Sequence, residues 1–491
     1  MNGPGSNNHF DPSAQHASLG FLLAAAVKEL QPAHEFFIEH SYVGGYYCHF
    51  GTANHLDPGI IRQVETRMME YISGADPLSL EEVDSDELAR RFERQGRADK
   101  LEILDRLNRP RVPAARYRHY LDYRLEPMLT EMSALQGFSL EPYDRGFVLR
   151  FPTGSPLEPM SDSPKLYRVI RQRHEWGRAL HVNNLRQLNQ RLEGSLDLEL
   201  ILVAEALHEK TVAEIAAGLA ADHPAKRVVF ISGPSSSGKT TFAKRLGIQL
   251  KANLLGTISI SLDDYFLNRD AMQRQPDGSL DFESLDAIDI AQLVSDIQRL
   301  QAGETIPRRR FSFKRGQAEE SGETLCLSPN ELLIVEGLHG LNPVFARELG
   351  TENIQRIYVS AITQLNIDNE HRVGSSDNRL LRRLVRDAQF RGYDAEETLM
   401  RWPSVRRGEQ RHVFTYQEEA DFMFNSALVY ELGVLREKAE EILTAVPESS
   451  PAREKAQRLL TFLSLVAPVP LEPIPRGSIL REFIGGGVFQ Y

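Results

Sequence analysis

The apolar positions of this chain follow one rhythm in its front part and another behind residue 222. Residues 18–30, SLGFLLAAAVKEL, are apolar almost throughout and predict a helix. Residues 34–50 predict extended segments turning at Gly44-Gly45. Over 58–72, Ile60, Ile61, Val64, Met68 and Tyr71 recur near a helical period. Residues 80–107 are highly charged and predict a helix with one solvated face, while 110–165 are richer in Pro, Gly and Tyr and predict strands and loops. Residues 165–222 predict mostly helix. The Leu- and Ala-rich run 198–219 within them should dock on one of the domains and end at His223-Pro224.

Behind that point, short apolar runs alternate with amphipathic stretches. Residues 228–232 (VVFIS) and 332–335 (LLIV) are too short and too uniformly apolar for surface helices, and predict buried strands. The β-rich run 256–262 ends in Asp263-Asp264, and residues 284–302 predict an amphipathic helix stopped by Gly303. A last buried strand is expected over 425–432, then helix over 433–467 with a Pro/Ser break near 447–451, then a Pro- and Gly-rich tail, 472–491.

Composition narrows the class. With 491 residues, two or three domains are expected, and 41% hydrophobic with 25% charged residues is an ordinary globular balance. A net charge of −11 argues against a nucleic-acid binder or an acidic-membrane binder. The two cysteines, Cys48 and Cys326, suit a reducing compartment and exclude a disulfide framework or a Cys-rich zinc site. No apolar run reaches the ~18 residues of a membrane span, and the polar start lacks a signal pattern. The expected location is the cytoplasm. The expected organisation is a disordered tail (1–15), an α+β front domain (16–160), a helical connector (161–222), an α/β domain (223–435) and a C-terminal helical extension with tail (436–491), with a homo-oligomer as one option.

Chemistry concentrates behind the strand at 228–232. There Gly233-Pro234-Ser235-Ser236-Ser237-Gly238-Lys239-Thr240-Thr241 reads G-x-x-x-x-G-K-T and leads into a helix. The glycines let backbone N–H groups wrap an anion, and the helix N-terminus adds its own. Lys239 can reach the outer phosphates of ATP, and the Thr240 hydroxyl can ligate Mg²⁺. Asp263 or Asp264, at the carboxyl end of a strand expected beside the strand of this P-loop, can take a proton from an attacking hydroxyl, and Asp263 is the favoured base. Glu336 ends the second buried strand, where such enzymes hold Mg²⁺. The basic segment 306–316, with Phe311 and Phe313, either holds a phosphorylated or polar substrate or is a solvated loop. Arg379, Arg382, Arg383 and Arg386 share a helix face and read as a lid that closes over phosphates, although Asp377 and Asp387 could instead salt-bridge them.

Two resemblances follow. His40 to Phe50, with Tyr46-Tyr47-Cys48-His49-Phe50, resembles the Gly-Phe-Tyr-Tyr-Asp-Phe hairpin in the second additional domain of threonyl-tRNA synthetases, over about residues 16–150. That domain edits with an H-x-x-x-H pair plus a downstream Cys and His. Here His16 is followed by Gly20, and 117–137 holds His119 but no Cys, so the resemblance implies the fold without the editing chemistry. Over about 225–435, GPSSSGKT, LDDYF, DFESLDAID, IVEG and RLLRRLVRDAQFRG resemble the uridine kinase and phosphoribulokinase family in order and spacing. The whole chain resembles bacterial kinases that fuse the two parts.

The resemblance implies an ATP- and Mg²⁺-dependent phosphotransferase acting on a small molecule, with the 5′-OH of a nucleoside such as uridine or cytidine as acceptor. Asp263 takes the base position, Glu336 the metal position with Thr240, and Glu283 the substrate-hydroxyl position. Arg386 and Arg391 take the lid, while Tyr265, Phe311, Phe313 and Arg382 fall among the substrate contacts. Phe311-Ser312-Phe313 stands where the family has Tyr-Asp-Phe and then a His, and Glu283 where an Asp is usual. Two rivals stand beside this reading: a kinase of a sugar phosphate or polyol, favoured by Arg308–Arg310, and a nucleotide-switched RNA-binding regulator.

Overall fold

The computed structural model describes residues 12–51, 57–151, 160, 162–193, 196–272, 281–312, 315–363 and 365–490. The front part carries β1 (Phe36–Tyr42), β2 (Gly45–Phe50), β3 (Ser79–Asp84), β4 (Arg111–Tyr117), β5 (Tyr120–Tyr123), β6 (Ser139–Tyr143) and β7 (Gly146–Arg150). They form two antiparallel sheets, in the orders β1-β2-β7-β6 and β3-β4-β5. The hairpin expected at Gly44 is present. Val43 and Gly44 both have positive φ, which matches the right-handed twist of the strands they join.

Two helices, Pro12–Leu30 and Pro58–Ser73, cover the four-stranded sheet, and Leu22, Val64, Met68 and Phe147 lie in the shared core. The first helix starts within the stretch expected as a tail; residues 1–11 lie outside the described residues. The charged run 80–107 is not one helix. It opens with β3 and continues as helices Ser85–Arg94 and Ala98–Leu107, because Asp84 caps the N–H groups of Asp86 and Glu87 and so fixes a helix start behind the strand.

Helices Pro164–Leu180, Leu185–Leu192 and Leu198–Ala221 make the connector. The last shares a core with helix Lys239–Ala252 of the back half, through Val212, Ile215, Leu219 and Leu246. A buried ionic network also ties front to back. Lys100, 1% exposed, ion-pairs with Asp122 and with Glu370 (2.6 Å), and Arg97 bridges Asp99 and Glu370 at 2.7 Å each.

The back half adds β8 (Val228–Ser232), β9 (Gly256–Ser261), β10 (Thr305–Ser312), β11 (Gln317–Cys326), β12 (Glu331–Glu336), β13 (Ile354–Ser360) and β14 (Phe422–Asn425). Five of them form a parallel sheet in the order β14-β13-β8-β12-β9. Alternate residues of β8 serve two cores. Val229 and Ile231 face the helices that include Lys239–Ala252, and Val228 and Phe230 face Ile290–Gln301 and Pro343–Leu349. Both faces are covered, which is why β8 reads as an unbroken apolar run.

Three expectations are corrected here. The Asp263 strand, β9, is not beside the P-loop strand but at the sheet edge, with β12 between them. The basic segment is the antiparallel hairpin β10-β11, in which Arg308 pairs with Glu323 and Arg315 with Glu319, each at 3.2 Å. The last strand ends at Asn425, and the apolar residues behind it (Leu428, Tyr430) turn the chain into helix Glu431–Thr444. Among the described residues no helix is long and apolar enough to cross a membrane.

Candidate active site at the P-loop

β8 runs directly into the glycine loop. Gly233 is required by space, since a Cβ there would sit 1.9 Å from the Val359 carbonyl oxygen. Gly238 is required by conformation, with φ 85° at the N-cap of Lys239–Ala252. The hydroxyls of Ser236 and Ser237 are buried without a hydrogen-bond partner, and Lys239 Nζ folds back onto the carbonyls of Gly233 (2.9 Å) and Pro234 (3.3 Å). Unsatisfied donors around a concave backbone, with a lysine resting on the loop's own oxygens, are what a phosphate chain would complete.

The loop is braced from behind by Glu409, which the sequence pattern did not single out, and by two of the arginines expected in the lid. Glu409, fully buried, accepts from Ser235 N (2.8 Å) and pairs with Arg379, which also donates to the Ser235 carbonyl (3.0 Å). Arg383 donates to Ser235 Oγ at 2.9 Å. The C-terminal tail reaches the other side: Glu482 accepts from Thr241 Oγ1 (2.6 Å) and Thr241 N (3.2 Å), and Ile479 packs against Gly238. A Pro/Gly-rich ending carries no sequence signal for such a docking. A hint was available only in the apolar spacing of Ile479, Leu480, Phe483 and Ile484, all of them buried.

An open cleft lies above the loop. Lys239, Thr240, Asp263, Glu283, Glu336, Arg383, Arg386 and Arg391 all line it, together with Phe266, Phe282 and the tail residues Gly485 to Gly487. The Thr240 hydroxyl donates to Glu336 Oε1 at 3.3 Å. Burial pushes Glu336 up to about 7, with Lys239 opposing and the Asp263 and Glu482 charges adding to the rise. Glu283 is likewise raised to about 7 by burial, against the pull of Arg383. Asp263 is open to solvent inside the cleft, yet crowding by the surrounding walls raises its pKa, with Lys239 and Arg391 pulling it back. Asp264 turns away and accepts from the Phe311 N–H at 3.4 Å, anchoring the hairpin.

Three other expected site residues do not line this cleft. Tyr265 is 2% exposed and donates to Asp296 at 3.0 Å beneath the Arg309 guanidinium, so it is a core residue. Phe311 is buried against Phe266. Arg382 is fully buried, donates to the Ser426 carbonyl (2.8 Å) and pairs with Glu431. Phe313 lies outside the described residues. The arginine face is thus divided: Arg379 and Arg382 point into the protein, and Arg383, Arg386 and Arg391 gather around Asp387 at the cleft wall, at 3.1, 2.7 and 3.7 Å. A helical period places cations on one face but does not say how far around the helix the protein wraps.

A parallel α/β sheet, a glycine loop at its centre and acidic and basic groups converging above it define a nucleotide-binding fold of the P-loop kinase class. Residues 228–430 match the family described as phosphoribulokinase/uridine kinase, over the region that holds the parallel sheet and the glycine loop. Among curated relatives, the chain is 28% identical over 182 residues to a uridine kinase of Clostridium perfringens, covering 37% of this chain and 78% of that one. It is 26% identical over 172 residues to a uridine kinase of Lactobacillus johnsonii, covering 35% and 72%. A solved structure described as a possible uridine kinase from Bacillus stearothermophilus aligns at 17% identity and a TM-score of 0.30, covering 44% of this chain and 98% of that one. The family match and the curated relatives support an ATP-dependent kinase of a small molecule.

Proposed function

We propose that the cleft transfers the γ-phosphate of ATP to a hydroxyl of a small molecule, with the 5′-OH of a nucleoside as acceptor. The observation that carries the reading is convergence. Lys239, the Thr240–Glu336 pair, Asp263, Glu283 and three arginines reach one cleft from separate stretches of the chain. The loop N–H groups and Lys239 hold the phosphates. Mg²⁺, held by Thr240 and Glu336, would offset charge on the transferred group. Asp263 accepts the acceptor's proton, and Glu283 orients that hydroxyl. Arg383, Arg386 and Arg391 close over the phosphates and keep water out. Phe266 and Phe282, rather than Phe311, supply the apolar wall for a base or sugar.

The nucleoside assignment follows the names of the curated relatives. Two of the three arginines that would favour a phosphorylated acceptor are engaged elsewhere, Arg308 with Glu323 and Arg309 with Tyr265. For the front module we infer the threonyl-tRNA-synthetase-like fold without its editing chemistry. There His16 stacks on Phe151 at 3.6 Å and His119 is exposed. The test is ADP release from ATP–Mg²⁺ with nucleosides, sugar phosphates and polyols, on wild type and Asp263→Ala. Stimulation by uridine or cytidine that disappears in the variant supports the reading. ATP binding without stimulation by any acceptor overturns it.

A further inference from the structure

A second cluster of chemistry-bearing side chains lies in the front module, away from the nucleotide cleft. It is made by a fault in a hairpin. β1 and β2 pair regularly as Phe36↔Phe50, Phe37↔His49 and Ile38↔Cys48, then resume at Ser41↔Tyr46. Glu39 and His40 therefore both stand opposite Tyr47, a β-bulge. The bulge breaks the alternation of a strand, so Ile38, Glu39 and His40 are all buried, at 2%, 6% and 8% exposure. Helix Pro164–Leu180 crosses beside the hairpin and brings His174 edge-on to the His49 ring, 5.4 Å away.

Three potential ligand atoms then converge. His49 Nε2 is 3.1 Å and His174 Nδ1 3.6 Å from Glu39 Oε1, and one donor atom of each residue lies within 4.8 Å of the others. Ligands at the ~2.1 Å typical of zinc with imidazole and carboxylate stand about 3.4 Å apart in a tetrahedron, and the two distances bracket that spacing. Among the described residues this is the one group of three or more His, Cys, Asp or Glu side chains arranged in this way.

Two further observations point to a cation. His49 Nδ1 lies 3.3 Å from the Phe50 carbonyl oxygen, which can only accept. If the ring is neutral, the N–H sits on Nδ1 and the lone pair on Nε2 faces a carboxylate oxygen. Two acceptors confront each other unless a positive species lies between them. A backbone carbonyl taking the far N–H is also how metal-binding histidines are commonly oriented. His40, on the same pocket wall, has a buried Nε2 with no hydrogen-bond partner.

We propose that Glu39, His49 and His174 form a three-ligand site for a divalent transition-metal ion of zinc-like preference. Two imidazoles and one carboxylate select such ions over Mg²⁺ or Ca²⁺, which take oxygen ligands. The three residues line a pocket shared with Tyr47, Tyr167, Asp144, Glu175, Arg171 and Arg178, from which water would complete the coordination.

The test loads the full-length chain with Zn²⁺ alone, removes excess by gel filtration and measures bound metal by mass spectrometry, for wild type, His49→Ala and His174→Gln. Circular dichroism monitors folding. His174 is part-exposed on a helix surface, so His174→Gln remains informative if His49→Ala misfolds. The expected result is one Zn²⁺ per chain in wild type, at least a tenfold drop in occupancy in each folded variant, and no retention when Mg²⁺ replaces Zn²⁺. Less than about one-tenth of an ion per wild-type chain overturns the proposal by leaving the cluster a proton-bridged ion pair. Equal Zn²⁺ content in wild type and His174→Gln overturns the ligand set.

Discussion

Glu336→Gln should stabilise the empty protein while removing its catalytic use. Glu336 titrates near 4.5 when the chain is unfolded and near 7 in the folded cleft. Between those values unfolding releases a proton, so stability falls as pH rises through the window, and the full cost stands above 7. At about 1.4 kcal/mol per tenfold change in proton affinity, that cost is about 3 kcal/mol at pH 8 and under about 1 kcal/mol at pH 5. Glutamine keeps an oxygen for the Thr240 hydroxyl, now at 3.3 Å from Glu336, and carries no charge. For a domain of this size ~1 kcal/mol moves the melting temperature by roughly 2–4 °C, so the variant should melt at least about 6 °C above wild type at pH 8. The gap should shrink to a few degrees at pH 5. Thermal melts without nucleotide, at both pH values, read this directly, and ADP release at pH 8 should fall in the variant through loss of the proposed Mg²⁺ contact. A variant that melts no higher than wild type at pH 8, or by the same margin at both pH values, refutes the reasoning.

Other residues test the bracing. Glu409→Ala strands Arg379, 2% exposed, beside Ser235, and should cost about 3–5 kcal/mol in denaturant unfolding; a loss below about 1 kcal/mol would mean that the pair does not hold the loop. Ile479→Ala empties a fully buried contact on Gly238, and should cost about 2–4 kcal/mol and weaken ATP binding in calorimetry. Unchanged affinity would make the tail a bystander. Tyr265→Phe removes a buried hydrogen bond to Asp296 worth about 1 kcal/mol, and acceptor KM should not move. A rise of tenfold or more would return Tyr265 to the substrate.

What was legible in the sequence depended on how local its cause was. The loop from Gly233 to Thr240 is written in eight consecutive residues, because backbone conformation and phosphate geometry are satisfied there by neighbours in the chain. The strand VVFIS could be placed because both its faces meet apolar helices. The order of the sheet could not. Nothing in GTISIS distinguishes an edge strand from one beside β8, although its part-exposed residues show the edge once the fold is known.

The arginine helix shows the same limit. Spacing put four guanidinium groups on one side, but Arg379 and Arg382 were drawn inward by Glu409 and Glu431, 30 and 49 residues away in the chain. Tyr265 and Phe311 were expected among the substrate contacts through the family resemblance. Asp296 and Phe266 instead draw them into the core. The Glu39–His49–His174 cluster lay furthest out of reach. Regular alternation would put Glu39 and His40 on opposite faces of β1, and only the bulge lets both be buried on the wall where His174 arrives. A metal at that bulge would give the front module a chemistry of its own, set by a one-residue slip in a hairpin.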